Sequence, residues 1–357
     1  MTATISRPGA VLATETRQIK VAQFTDNYGP QPSGLLVAVQ TLEKNLLDAG
    51  HQALLVAPKS RIPNPCRGKE GYSEIRLPSM WVPGLGNRLA MGHKFEKTVA
   101  KVIEARPDVI HVHGLGPVGM LGVWAARRGG IPLLVTWHTD FAAYADHYKV
   151  LTPVMNVVYK AWRVYGGDEA MDKPGADAAA LRHAEAGRVR APLFGVAASM
   201  LESATLVTTP SPKTKTRCHQ LAPDANVRVV PNGVDPIPRR PGAEPIPRGE
   251  GITIMYLGRG EGITIMYLGR VAPEKGIGLL LDAFEILRQR HADAELIIVG
   301  DWHRIPALRK RIKEAALGGG IRLAGELKRD DLAPYYEAVD MLVFPSLTDT
   351  QSLVLHE

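Results

Sequence analysis

From Ile19 onward the chain repeats one arrangement. Short apolar runs, each closing on a polar or glycine-bearing turn, alternate with longer stretches whose apolar residues recur every three or four positions. Strand-length runs separated by helical stretches cannot pair as tight hairpins. They need crossovers, so the alternation predicts a parallel, doubly wound α/β sheet. The first expected strand is Ile19–Gln23, and Leu36, Val39, Leu42, Leu46 and Leu47 mark the helix after it, up to Gly50. Strands Ala53–Ala57 and Glu74–Leu77 follow, then helix Phe95–Ala105, strand Val109–His113, helix Val118–Arg128 and strand Leu133–Trp137. Thr205–Thr209 and Val227–Val230 complete this first series.

A break separates it from a second series. Pro236–Arg248 carries five prolines among arginines, the composition of a linker. Beyond it come strand Ile263–Leu268, helix Gly278–Arg290, strand Glu295–Val299, helix Ile305–Ala315, strand Ile321–Ala324, helix Leu332–Ala338 and strand Met341–Phe344. A length of 357 residues suits two domains. The expected division is a mobile tail at 1–17, an N-terminal Rossmann-like domain at 18–232 with an insertion at about 141–203, a linker at 233–251, and a C-terminal Rossmann-like domain at 252–357. One oddity lies at the junction: Gly249–Arg259 and Gly260–Arg270 are identical copies of GEGITIMYLGR. The second copy, followed by VAPEKG, is expected to form the strand, and the first to be a surplus loop or edge strand.

Composition narrows the function. Apolar residues make up 45%, charged residues 22% and aromatics 6%, an ordinary globular profile without an apolar stretch of membrane-spanning length. Met1–Thr16 has one arginine and no apolar run of signal-peptide length, so a cytoplasmic location is expected. Cys66 and Cys218 have no metal-type spacing and read as reduced thiols. The net charge of +7 suits an acidic partner such as a nucleotide phosphate or an anionic lipid surface. The basic residues are dispersed and match no nucleic-acid-binding pattern, so no nucleic-acid partner is expected. Neither a GxGxxG after the first strand nor a GxxxxGK[ST] occurs, which disfavours dinucleotide oxidoreductases and P-loop NTPases.

In open parallel sheets, ligands bind beyond the carboxyl ends of the strands. There the first series places Pro32-Ser33-Gly34, His111, His113 and Trp137-His138-Thr139-Asp140; the second places Gly269-Arg270, Lys275-Gly276, Gly300-Asp301, Gly325-Glu326 and Pro345–Glu357. Arg270 and Lys275 flank a glycine-containing turn, which makes either a diphosphate clamp or a pair of solvated surface charges. Asp349 and Glu357 lie eight residues apart, around a helix expected to start near Gln351–Leu353 with its free N–H groups aimed at a phosphate. The competing reading is a capping Asp with a surface Glu. His138 either packs at its strand end or donates a hydrogen bond to a sugar hydroxyl or phosphate.

In combination these pieces resemble the retaining, nucleotide-sugar-dependent glycosyltransferases of the family 4 group, which have the two-domain GT-B fold. The motifs are Pro231-Asn232-Gly233-Val234-Asp235, YLGRVAPEKG, LIIVGD at Leu296–Asp301, Leu323-Ala324-Gly325-Glu326-Leu327 and the closing FPSLTDTQSLVLHE, in the family's order and spacing. VAQFTDNYGPQPSG, PDVIHVHG and VTWHTD agree in the N-terminal half. The resemblance implies transfer of a hexosyl unit from a nucleoside-diphosphate sugar, a co-substrate held without cofactor or metal. The acceptor would be a lipid, a sugar or a small natural product. The N-terminal domain would bind the acceptor and the C-terminal domain the donor. Thr350-Gln351 resembles members that use UDP-glucose-type donors, with GDP-mannose the other possibility.

Residue by residue, the family's Glu-x7-Glu signature falls on Asp349 and Glu357. Asp349 would hold donor-sugar hydroxyls and Glu357 the ribose. Amides near Gln351, Ser352 and Leu353 would meet the phosphates, which Arg270 and Lys275 would clamp. Gly34 would allow close approach of the diphosphate, and His138 would contact the sugar. Ser352 stands where the family usually has Gly, and Trp302 where a small residue is usual. Because the chain stops inside the expected phosphate-binding helix, the second domain reads as incomplete, and the alternative reading is an inactive truncated copy. A GT-B sugar-nucleotide epimerase is a lesser alternative. Basic charge, Met80-Trp81-Val82-Pro83 and the Lys94–Lys101 helix permit peripheral contact with a membrane surface.

Overall fold

The computed structural model describes residues 17–28, 33–60, 63–81, 88–91, 94–138, 194–235, 237, 263–301, 306–317, 319–346 and 348–356. In chain order the first half contains β1 (Lys20–Phe24), α1 (Gly34–Asp48), β2 (Gln52–Pro58), β3 (Tyr72–Leu77), β4 (Ser79–Trp81), β5 (Arg88–Ala90), α2 (Phe95–Glu104), β6 (Val109–Val112), α3 (Pro117–Gly129), β7 (Leu133–Thr136), β8 (Leu206–Thr209), α4 (Pro212–Leu221) and β9 (Val227–Val229). Among the described residues, seven of these strands form one parallel sheet in the order β3-β2-β1-β6-β7-β8-β9. Its central strands are covered on both faces: Val21, Ala22, Gln23 and Phe24 of β1 are all buried. That explains why the runs read as continuously apolar rather than alternating.

The second half contains β10 (Thr264–Leu268), α5 (Ile277–Arg290), β11 (Glu295–Val299), α6 (Pro306–Leu317), β12 (Ile321–Gly325), α7 (Ala333–Ala338) and β13 (Met341–Leu342). Its parallel sheet has the order β12-β11-β10-β13. The second GEGITIMYLGR copy therefore supplies the central strand β10, as expected. Apolar clusters line both faces of this sheet, with Tyr267, Leu280, Phe284 and Ile298 in one and Met266, Leu268, Ile297 and Tyr335 in the other.

Two helix starts near the first sheet are fixed by side chains. Ser33 caps α1, its Oγ accepting from Leu36 N at 3.1 Å and from Asn27 Nδ2 at 3.0 Å. α3 begins at Gly116, which has no side chain to offer, and Asp26 caps it from the end of β1, accepting from Val118 N at 2.8 Å and Gly119 N at 3.1 Å. A Cβ at Gly116 would collide with that carboxylate, so the glycine is what lets the cap approach.

Several features differ from the sequence expectations or go beyond them. The helix expected from Gln351 is not formed: residues 354–356 make a single turn, closed by His356 N donating to Leu353 O at 2.9 Å. One turn carries the full nucleation cost with almost no propagating bonds to offset it. The last strand spans Met341–Leu342 and stops before Val343 and Phe344. Residues 194–203 are helical, within the stretch read as an insertion, and the β4–β5 ribbon and helix α4 were not anticipated. The tail, residues 139–193, most of the linker, the first repeat copy, Trp302 and Glu357 lie outside the described residues.

Candidate functional site

A doubly wound sheet leaves a crevice where its strand order reverses. In the first sheet this is between β1 and β6, and in the second between β10 and β13. The sequence-selected residues gather at these two places. β10 is followed by Gly269 (φ 147°) and β11 by Gly300 (φ 150°), conformations that favour glycine, and a Cβ on Gly300 would strike the Gly269 carbonyl. The chain then passes Arg270, enters a 3₁₀ turn at Pro273–Lys275, and turns at Gly276 (φ 71°). A Cβ there would lie 2.5 Å from Pro345 O, so the loop after β13 packs directly on the loop after β10.

This approach joins Lys275 to Asp349, with Nζ 2.5 Å from Oδ1 and 2.7 Å from Oδ2. The pair is only partly exposed, at 17% for the lysine side chain and 23% for the aspartate. Ser346 and Thr348 hydroxyls donate to Glu274 O at 3.3 Å each, tightening the same contact. Arg270 bonds the buried Glu274 carboxylate, and its carbonyl accepts from Tyr267 OH at 2.8 Å. Burial, together with the charge of Asp349, pushes the Tyr267 phenol well above its ordinary range, so it stays a donor.

The segment after Asp349 reaches across to the first half. Thr350 Oγ1 donates to His138 O at 2.7 Å. Gln351 accepts from Asn232 N at 2.7 Å and donates to Asn232 O at 3.3 Å, so its amide is spent on the PNGVD motif. Leu353 sends its side chain toward Gly34, where a Cβ would meet Leu353 Cδ1 at 3.7 Å, an ordinary contact. The Ser352 hydroxyl is buried and has no hydrogen-bond partner among the described residues.

Behind this seam lies a histidine cluster that the sequence signalled only as single residues. His111 in β6 and His113 just past its end point the same way by the strand period of two, with ring centroids 3.9 Å apart. His113 Nδ1 is 3.1 Å from His138 Nε2, and His113 Nε2 is 3.1 Å from Gln23 Oε1. His111 Nε2 meets Thr136 Oγ1 at 2.6 Å, and Thr136 meets Thr208 at 2.7 Å. Burial holds all three rings neutral, lowering His111 to about 3, His138 to about 4 and His113 well below the ordinary histidine value. Gln23 and Asp26 escaped sequence reasoning. The one available signal for Gln23 was a polar residue inside the apolar run VAQF.

Two doubly wound halves joined along their switch-point loops define the GT-B class of glycosyltransferases. Sequence comparison agrees: residues 32–237 match Glycosyltransferase Family 4, and residues 262–357 match Glycosyl transferases group 1. The chain belongs to Glycosyltransferase Family 4 and is a glycosyltransferase. It is 25% identical over 344 residues to an alpha-monoglucosyldiacylglycerol synthase of Acholeplasma laidlawii, covering 95% of this chain and 77% of that protein. A GDP-mannose-dependent alpha-mannosyltransferase of Mycolicibacterium smegmatis is 25% identical over 335 residues, covering 93% and 75%. The fold is similar to that of sucrose-phosphate synthase from Thermosynechococcus elongatus, with a TM-score of 0.58, 18% identity and coverage of 95% of this chain and 78% of that one.

Proposed function

We propose that this enzyme transfers a hexosyl unit from a nucleoside-diphosphate sugar, UDP-sugars preferred, to a lipid hydroxyl at the cytoplasmic surface of a membrane, with retention at the anomeric carbon. The observation that carries the donor side is the Lys275–Asp349 pair, set across the switch point of the second sheet with Arg270 beside it. Lys275 and Arg270 supply positive charge to the departing diphosphate, and Asp349, released as Lys275 turns to phosphate, accepts from sugar hydroxyls. The acceptor oxygen bonds the anomeric carbon as the carbon–oxygen bond to phosphate breaks on the same face. The bond's electron pair goes to the phosphate oxygen, which takes the acceptor's proton. No metal or resident cofactor has a part in this scheme.

Ser352 allows a direct check of the phosphate loop. A buried hydroxyl without a partner costs about 1–3 kcal/mol until a ligand satisfies it. Ser352→Ala is therefore expected to raise the melting temperature of the unliganded enzyme by a few degrees. It should also weaken nucleoside-diphosphate binding roughly fivefold or more. Calorimetric titration with UDP tests this; unchanged affinity would remove Ser352 from the site.

The lipid acceptor rests on a surface of the first half. Met80, Trp81 and Met91 are 52%, 43% and 39% exposed on and beside the β4–β5 ribbon, and Lys94, at the start of the adjoining α2, is exposed together with Lys97 and Lys101 on it. Exposed apolar side chains followed in the chain by exposed lysines suit an anionic bilayer interface. Among the described residues, no helix is long and apolar enough to cross a membrane. Trp81→Ser is expected to cut binding to phosphatidylglycerol vesicles about tenfold or more while leaving donor binding intact. Equal sedimentation of the variant and the parent with vesicles would refute the surface. The reaction itself is tested by supplying UDP- and GDP-hexoses with diacylglycerol-bearing vesicles and reading the product's anomeric configuration by NMR. No glycolipid from any donor would overturn the proposal.

A further inference from the structure

Gln23, His113 and His138 form a chain in which each bond dictates the next. Gln23 Oε1 can only accept, so the 3.1 Å contact places a proton on His113 Nε2. A neutral imidazole carries one proton, and burial keeps this ring neutral, so His113 Nδ1 is left as an acceptor. The 3.1 Å contact between His113 Nδ1 and His138 Nε2 then requires the proton of that bond to sit on His138. His138 is neutral as well, which leaves its Nδ1 bare, and Nδ1 has no partner among the described residues. The other ring of the cluster does not interfere. His111 lies against His113 with the two rings tilted by 39°, and it spends its Nε2 on Thr136, which is tied in turn to Thr208.

Both ends of this chain are held. Gln23 is fully buried in β1, and His113 is 2% exposed at the end of β6, the two strands that frame the first switch point. The backbone of His138 is fixed by Thr350 of the donor loop, the residue next to Asp349. The ring is thus oriented from the first sheet and its main chain from the second.

We infer that Gln23 and His113 are positioning residues that hold His138 as its Nε2–H tautomer, so that His138 meets the donor sugar through Nδ1 as an acceptor of a hydroxyl proton. This reverses the polarity of the functional alternative expected from sequence, in which His138 donates to a sugar hydroxyl or phosphate. The inference rests on the proposed function for the identity of the ligand, but the tautomer is a property of the unliganded enzyme.

The test is long-range ¹H–¹⁵N NMR on the full chain with ¹⁵N-labelled histidine, the His138 signals being assigned by their loss in His138→Gln. The parent is expected to show His138 protonated at Nε2 and bare at Nδ1. Gln23→Met removes the acceptor. It should bring a population of the Nδ1–H tautomer and lower kcat/KM roughly tenfold, chiefly through KM for the donor. A parent protonated at Nδ1 overturns the inference. So does a Gln23→Met enzyme that is folded and has unchanged tautomer populations and kinetics. Failure of every donor to react would refute the proposed function and leave the NMR result standing, so the two failures are distinguishable.

Discussion

Asp349→Asn is expected to slow sugar transfer by about a thousandfold while tightening the binding of the free nucleoside diphosphate severalfold. The opposed signs follow from the ion pair. In the unliganded enzyme both carboxylate oxygens of Asp349 hold Lys275, which leaves the ammonium partly neutralised and aimed away from an incoming phosphate. Neutralising Asp349 frees that cation, so the diphosphate alone gains a stronger electrostatic partner. The sugar loses its anionic acceptor, and a near-attack geometry depends on that contact. Lys275→Ala should do the reverse to the nucleotide, weakening free diphosphate binding about a hundredfold, and should also lower stability by leaving a part-buried carboxylate unpaired. The double variant should be more stable than the sum of the single effects, since the lone buried charge has gone. Calorimetry with UDP, next to turnover measurements, reads all of this. If Asp349→Asn lost diphosphate affinity in step with activity, the carboxylate would be acting on the phosphates and the assignment would fall.

What the sequence made legible was the part governed by local pattern. Strands buried on both faces leave continuous apolar runs, so Glu295–Val299 was placed to the residue and its neighbours to within one or two. Turn chemistry marked Gly269, Lys275-Gly276 and the loop holding Asp349, and all of them lie at the switch point of the second sheet. Contacts between distant loops were not legible. Lys275 and Asp349 are 74 residues apart, and they meet because Gly276 lets its loop pack on Pro345, a close approach that neither loop announces alone. Asp26 lies 92 residues before the amide it caps. Helix α4 was missed because its sequence, PKTKTRCHQL, has almost no apolar stripe. Its signals were Ser211 as the cap and Pro212 at the first position, which periodicity alone does not weigh. The helix expected from Gln351 failed for the opposite reason: the cap chemistry looked right, but only one turn forms.

The histidine cluster also sets a pH limit that should be large enough to measure. His111 is 5% exposed and lowered to about 3, so the unfolded chain takes up its proton near pH 6.5 while the folded chain refuses it. A base lowered in this way contributes stability that is present above pH 6.5 and lost as pH falls toward 3. By pH 4 the loss from His111 alone is about 3 kcal/mol. His138, lowered to about 4 and partly accessible, adds a smaller loss over the same range, and His113, lowered further by burial and its two histidine neighbours, adds to it. Two carboxyls oppose the trend. Asp26 and Glu43 are raised to about 6 by burial, so their contribution is present below their unfolded values and lost as pH rises through 6. Between pH 6 and 4 Asp26 returns about 2 kcal/mol and Glu43 about 1.5 kcal/mol, less than the three rings remove together. Net stability should therefore fall as the protein is acidified below pH 6.5, by an amount comparable with much of a typical folding free energy. Denaturant unfolding at pH 7, 6, 5 and 4 measures the slope. His111→Gln, which keeps a hydrogen-bonding group toward Thr136 but cannot titrate, should flatten it, and Asp26→Asn should steepen it by removing a compensating group. An acid slope that His111→Gln leaves unchanged would mean that His111 is already charged in the folded enzyme.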